Sequence, residues 1–156
     1  MNDLTTTEAQ SLSRERAQRQ AAGQAANEAA SANVFNRHLS EKSQNTKDAQ
    51  LNDLATFAEY LCRVKALDCG DSPNYTEISK AMQTDPATWH DMTWGLVDGF
   101  REWMLRKGYA LSSINRKLST VKVYAQLAAA AGVVAPQEGL LIRNVKGYSH
   151  SVADNV

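Results

Sequence analysis

Cysteine is nearly absent from this 156-residue chain, with two residues, and proline occurs only three times. Cys62 and Cys69 are too few to staple a secreted scaffold, and with no export signal at the start they predict a reducing, cytoplasmic setting. Long hydrophobic runs are missing as well. The longest, 127–135, is interrupted by Gly132 and is far too short to cross a bilayer. The eight glycines form neither a G-x-G-x-x-G nor a Walker pattern, so no phosphate-cradling loop and no cofactor are expected. His38, His90 and His150 are scattered, and neither they nor the cysteines show zinc-ligand spacing, so no metal is expected. No serine, histidine and acid stand in a recognised triad context, which leaves no small-molecule substrate in view. Net charge is also lacking: 17 Lys and Arg balance 17 Asp and Glu. That balance argues against a wholly basic nucleic-acid chaperone and against an acidic solvating tail. With 43% hydrophobic residues, the chain is neither membrane-spanning nor disordered throughout.

What is present is unevenly distributed. Residues 1–47 nearly cancel, with six basic against five acidic. Residues 48–100 carry three basic against nine acidic, a net of −6, whereas 101–147 carry eight against two, a net of +6. Between Trp103 and Gln137 there is no acid at all, while Arg106, Lys107, Arg116, Lys117 and Lys122 all fall there. The asymmetry is therefore more informative than the total. Composition divides the chain too. Residues 5–33 are mostly Ala, Gln, Ser, Thr, Asn, Glu and Arg, with Leu12 the only large aliphatic side chain. Such a segment tolerates helix but has no face to bury, which predicts a poorly ordered or marginally helical arm over 1–33. Val34, Phe35 and Leu39 open a globular region over 34–135, with a short extension over 136–156 that the family resemblance given below makes a linker.

Apolar spacing in the globular region is helical. Leu51, Leu54, Phe57, Ala58, Leu61 and Val64 recur at three and four, predicting a helix over 47–66 with Thr46 as N-cap and Cys62 as a small core residue. Tyr75–Gln83 reads as a short helix capped by Thr76 and broken at Asp85-Pro86. Leu96, Val97, Phe100, Trp103 and Met104 make the next stripe, stopped by Gly108. Ile114, Leu118, Val121, Ala125 and Ala128 make the last, over 112–131, closed by Gly132. Trp89, Trp94, Trp103, Tyr109 and Tyr124 are expected to pack in the core. No β alternation competes, so the fold class is all-α.

The last helix also carries a polar stripe: Ser112, Asn115, Ser119, Lys122 and Gln126, with Arg116 and Lys117 beside it. Arg and Lys bind phosphates and guanine edges, Asn and Gln pair with adenine, and a helix fits the major groove. A solvated helix face usually mixes charge signs, and this one does not.

The string Gly108-Tyr109-Ala110-Leu111-Ser112-Ser113-Ile114-Asn115-Arg116-Lys117-Leu118-Ser119-Thr120-Val121-Lys122 resembles the core-binding domain signature of tyrosine recombinases (phage-type integrases). Upstream, Ser43-Gln44-Asn45-Thr46-Lys47 followed by Asp53-Leu54 and Phe57 is similar to the family's opening, and Trp94-Gly95-Leu96-Val97, Phe100 and Trp103 stand where its middle helix would lie. The likeness covers 43–148 and departs over 67–90, a connection longer and more acidic than the family's.

The resemblance implies a small SAM-like bundle of about four helices that forms one half of a clamp on double-stranded DNA, in DNA integration and recombination. The other half would be a catalytic domain toward which 136–156 would lead, and none of the five tyrosines here stands in its catalytic context. The implied function is therefore duplex binding without strand cleavage, with other recombinase subunits as further partners on DNA. Carried over by position, Asn115, Arg116, Lys117, Ser119 and Lys122 are the DNA contacts. Thr46 and Lys47 follow as phosphate contacts, and Arg106 and Lys107 attract the backbone. The opposite charge of the two halves leaves a helical protein–protein interaction module as the alternative.

Overall fold

Helix α2 (Gln44–Arg63) and helix α5 (Leu111–Ala130) run antiparallel at the centre of the molecule, because each carries an apolar stripe that only the other's neighbourhood can bury. The computed structural model describes residues 2–149, with side chains from residue 5 onward. Among the described residues there are six α-helices, one short 3-10 turn and no strand, so the chain is all-α with more helices than the four expected. The others are α1 (Asn2–Ser40), α3 (Tyr75–Thr84), the 3-10 turn Pro86–Trp89, α4 (Trp94–Lys107) and α6 (Pro136–Arg143). No helix among the described residues is long and apolar enough to cross a membrane.

Capping chemistry sets the boundaries. Ser43, not Thr46, caps α2: its hydroxyl accepts from the Thr46 amide at 3.2 Å, satisfying an otherwise unpaired donor. Asn74 does the same for α3 through the Glu77 amide at 3.1 Å, in place of Thr76. Thr93 caps α4, and Gly108 ends it with φ of 88°, a conformation that a Cβ would disfavour.

Phe57, Tyr60, Trp89, Phe100, Trp103 and Tyr124 form a continuous aromatic core. Trp89 is fully buried, and its indole N–H donates to the Met82 carbonyl at 2.8 Å. Trp94 departs from expectation. It opens α4 at the surface, 45% exposed, while its backbone amide is held by the Glu138 carboxylate at 2.9 Å.

Where composition predicts a poorly ordered or marginally helical arm over 1–33, the described residues from 2 onward belong to the helix α1. Its residues 5–30 are exposed, so Ala, Gln, Arg and Glu propensity and sheer length must sustain it there. It docks through its C-terminal part, where Ser31 Oγ donates to the Ala130 carbonyl at 3.4 Å and Phe35 and His38 pack edge-on against Tyr124. The segment from 136, expected as a linker, packs on the bundle as far as it is described. α6 buries Gly139 and Ile142, and Val145 joins the same core, while 150–156 lie outside the described residues. Finally, Cys62 is not a free core thiol. It forms a disulfide with Cys69, across Cα atoms 5.8 Å apart.

That bridge closes a short loop, and loop-closure entropy gives it a stabilising effect of about 2 kcal/mol. Reduction is therefore expected to lower the unfolding free energy by about that amount, read as a shift in urea midpoint with unchanged slope. Coincident midpoints with and without reductant would show that the bridge contributes nothing.

Candidate nucleic-acid interface

The polar residues of α5 sort into three lines once their neighbours are in place. On the side facing α2, Asp53 is almost completely buried and carries the contacts of a small charge network. Thr120 Oγ1 donates to Asp53 Oδ2 at 2.7 Å, Arg116 Nε reaches Oδ1 at 3.3 Å, and Lys117 Nζ lies 3.5 Å from the same oxygen. Lys117 Nζ also donates to Thr56 Oγ1 at 2.9 Å and stands 6.0 Å over the Tyr109 ring. Burial pushes the Lys117 ammonium below the usual lysine range, and Asp53 works against that shift. One turn on, the Tyr124 hydroxyl donates to Gln50 Oε1 at 2.8 Å.

On the opposite side, the chain after α6 lies along α5. Lys122 Nζ donates to the Val145 carbonyl at 2.6 Å. The Asn115 carboxamide pairs twice with the Tyr148 backbone, donating to its carbonyl and accepting from its amide, both at 2.9 Å. Gln126 donates to the Gly139 carbonyl at 2.8 Å and accepts from Arg143 at 3.4 Å. Burial also lowers the Lys122 ammonium from the usual lysine range.

Between these two flanks runs the third line, Ser112, Arg116, Ser119 and Val123, spaced four, three and four, and all exposed. Arg116 belongs to both this line and the network: its side chain is 57% exposed while that of Asp53 is 2%. Arg106 and Lys107 are exposed at the end of α4, just before the Gly108 turn that leads into α5. The Lys107 ammonium sits 5.2 Å over the Trp103 ring.

The expected contacts are therefore redistributed. Arg106, Lys107, Arg116 and Ser119 share the open end of α4 and the open line of α5. Lys117 is buried and serves the α2–α5 packing, so it is removed from the interface. Asn115 and Lys122 are engaged by the chain itself. Thr46 is exposed and accepts from the Ser43 hydroxyl at 3.0 Å, and Lys47 is half-buried with its carbonyl held by Gln83 at 2.9 Å. Both lie beyond Gln50, toward the far end of α5, about 18 Å along its axis from Asn115 at 1.5 Å per residue. They do not converge with the other contacts.

The surface is carboxylate-free along the α5 sequence but not in space, since Asp53 arrives from 63 residues away. A signal for this was present: an aspartate inside the apolar stripe of α2, between Gln50 and Phe57, must find a partner when buried. Arg143 and Lys146, from the same basic half of the chain, are also exposed on the segment that lies along α5.

No protein-family model matches the chain, nor does any curated protein or any solved structure.

Proposed function

We propose that this chain is a duplex-DNA-binding module of the tyrosine recombinase core-binding kind, with a SAM-like helical arrangement, that grips the phosphate backbone and does not cleave it. The carrying observation is the open line of α5, with Arg116 on it and Arg106 and Lys107 at its entrance, and with the nearest α2 carboxylate buried beneath rather than beside it. Serines at 112 and 119 add hydroxyl donors for phosphate oxygens.

With α2 on one flank and the chain after α6 on the other, α5 presents a ridge rather than a free rod. With the chain after α6 docked, that ridge favours contacts to the rails of the duplex over deep entry into the major groove. Burial raises three of the five phenols, Tyr60, Tyr124 and Tyr148, above the usual tyrosine range, which counts against those three as nucleophiles.

Phosphate-dominated binding is salt-dependent through counterion release. Fluorescence anisotropy with a labelled duplex is expected to show affinity falling steeply as salt rises. The triple variant Arg106→Ala, Lys107→Ala, Arg116→Gln should weaken binding alike on unrelated sequences. It should also lower the logarithmic salt slope by about 3, one for each phosphate contact removed. An unchanged slope would sink the assignment of these residues, and no duplex binding by the parent would sink the reading itself. Mass rising with concentration in the absence of DNA would favour the interaction-module alternative.

A further inference from the structure

We infer that residues 146–149, hinged at the core residue Val145, form an autoinhibitory strap that occupies the base-reading edge of α5 until DNA displaces it. The inference rests on the DNA-binding reading above and adds regulation to the same site. Its first ground is the chemistry of the contact. Asn115 offers one donor and one acceptor side by side, the pattern with which asparagine pairs to the N6 and N7 edge of adenine in the major groove. Here that pair is taken up by the amide and carbonyl of Tyr148, at 2.9 Å each. Lys122, the next cation along the same side, is taken up by the Val145 carbonyl. The strap thus presents peptide groups to the donors and acceptors that would otherwise face a duplex.

The second ground is the fit at Gly147. A Cβ on that residue would collide with the Asn115 carboxamide, so any other residue must turn that carboxamide away from the Tyr148 backbone or lift the strap. The third ground is that the seating is imperfect. Arg101 lies over the Tyr148 ring at 4.2 Å, yet the Tyr148 hydroxyl is buried with no hydrogen-bond partner among the described residues, and so is Arg101 Nε. Unsatisfied buried polar groups count against the docked state and are regained on release. An open groove of about 380 Å³ runs beside the contact, lined by Leu118, Ser119 and Lys122 on α5 and by Gly147 and Tyr148 on the strap. Beyond Val145 the strap meets α5 through the Asn115 carboxamide, with Lys122 at the hinge, and DNA competes for both residues.

A two-state strap lowers the apparent affinity by the fraction of molecules that are open. Gly147→Val should release it in the full chain. The Tyr148 amide should lose its protection from hydrogen exchange, and affinity for an A/T-containing duplex should rise by about tenfold if about a tenth of the parent is open. Adding Asn115→Ala to the released variant should abolish that gain. Tyr148→Pro, which removes the amide that Asn115 accepts from, serves as a second release should Gly147→Val fail to fold, with the Asn115 side-chain resonances as readout. Release with unchanged or weaker duplex affinity, in a parent that binds DNA, makes the strap a structural prop and overturns the inference alone. A Tyr148 amide still protected in Gly147→Val overturns it as well. If neither parent nor variant binds duplex, the inference falls together with the function beneath it.

Discussion

Replacing Asp53 with alanine is expected to cost about 3–5 kcal/mol of unfolding free energy, the range for breaking a buried ion pair from one side. Asp53 is 1% exposed and receives Thr120, Arg116 and Lys117. Arg116 would turn to solvent with little loss, since more than half of its side chain is already there. Lys117 cannot, and its ammonium would be left buried against Thr56 and the Tyr109 ring. A sign argument separates this cause from simple loss of packing. Without Asp53 the folded-state pKa of Lys117, already lowered by burial, falls further below its unfolded value. The folded variant then binds fewer protons than the unfolded chain, so its stability rises with pH toward the unfolded lysine value of 10.5. Urea midpoints of variant and parent should thus approach each other as pH is raised. The double variant Asp53→Leu, Lys117→Met should recover most of the loss, because it removes both charges at once. A loss under 1 kcal/mol for Asp53→Ala, or a pH-independent gap between the two proteins, would rule this account out. Against a usual total of about 5–15 kcal/mol, the expected loss is a large share of what keeps the helices together.

The same network shows where sequence reading succeeds and where it stops. The stripes of α2, α4 and α5 were legible because burial of one helix face imposes a period on the residues that build it, and Leu54, Phe57, Phe100, Ile114 and Val121 are all in the core. Gly108 was legible because a left-handed stop selects for it. The polar side of α5 was not, because polarity records that a side chain is hydrogen-bonded and not to what. Asn115, Lys117, Lys122 and Gln126 look alike in the sequence, yet their partners come from the strap, α2 and α6. Arg116 was placed rightly at the surface, though not with a carboxylate beneath it. The Cys62–Cys69 bridge escaped for a related reason: a spacing of seven fits no metal or redox motif, and only the turn after α2 brings the two Cα atoms within reach. Polar and sulfur chemistry is decided by long-range neighbours, while apolar period is decided locally.

Trp89→Ala is expected to cost about 3–5 kcal/mol, the range for truncating a buried aromatic. Trp89 stands on a four-residue turn in the stretch where the recombinase likeness lapses, and yet it holds the centre of the bundle. Its indole stacks on Phe57 of α2 with centroids 5.8 Å apart and on Tyr124 of α5 at 6.4 Å, and it ties the turn to α3 through the Met82 carbonyl. Truncation opens a cavity between α2 and α5 and leaves that carbonyl without its donor. Trp89→Phe keeps most of the apolar area and loses only the hydrogen bond, so it should cost about 1–2 kcal/mol. The contrast has a functional edge. Trp89 meets α5 on its core side, through Tyr124, away from Ser112, Arg116 and Ser119. Under conditions where both proteins are folded, Trp89→Phe should therefore bind duplex with the parent's affinity and salt slope. A phenylalanine variant as stable as the parent, or an alanine variant losing less than 1 kcal/mol, would remove the indole from the centre of the fold. A changed salt slope in folded Trp89→Phe would mean that the ridge of α5 is set from beneath, through the contact between Trp89 and Tyr124. In that case, on the proposed function, the segment 67–90 is the part of the chain that tunes how the basic surface meets DNA.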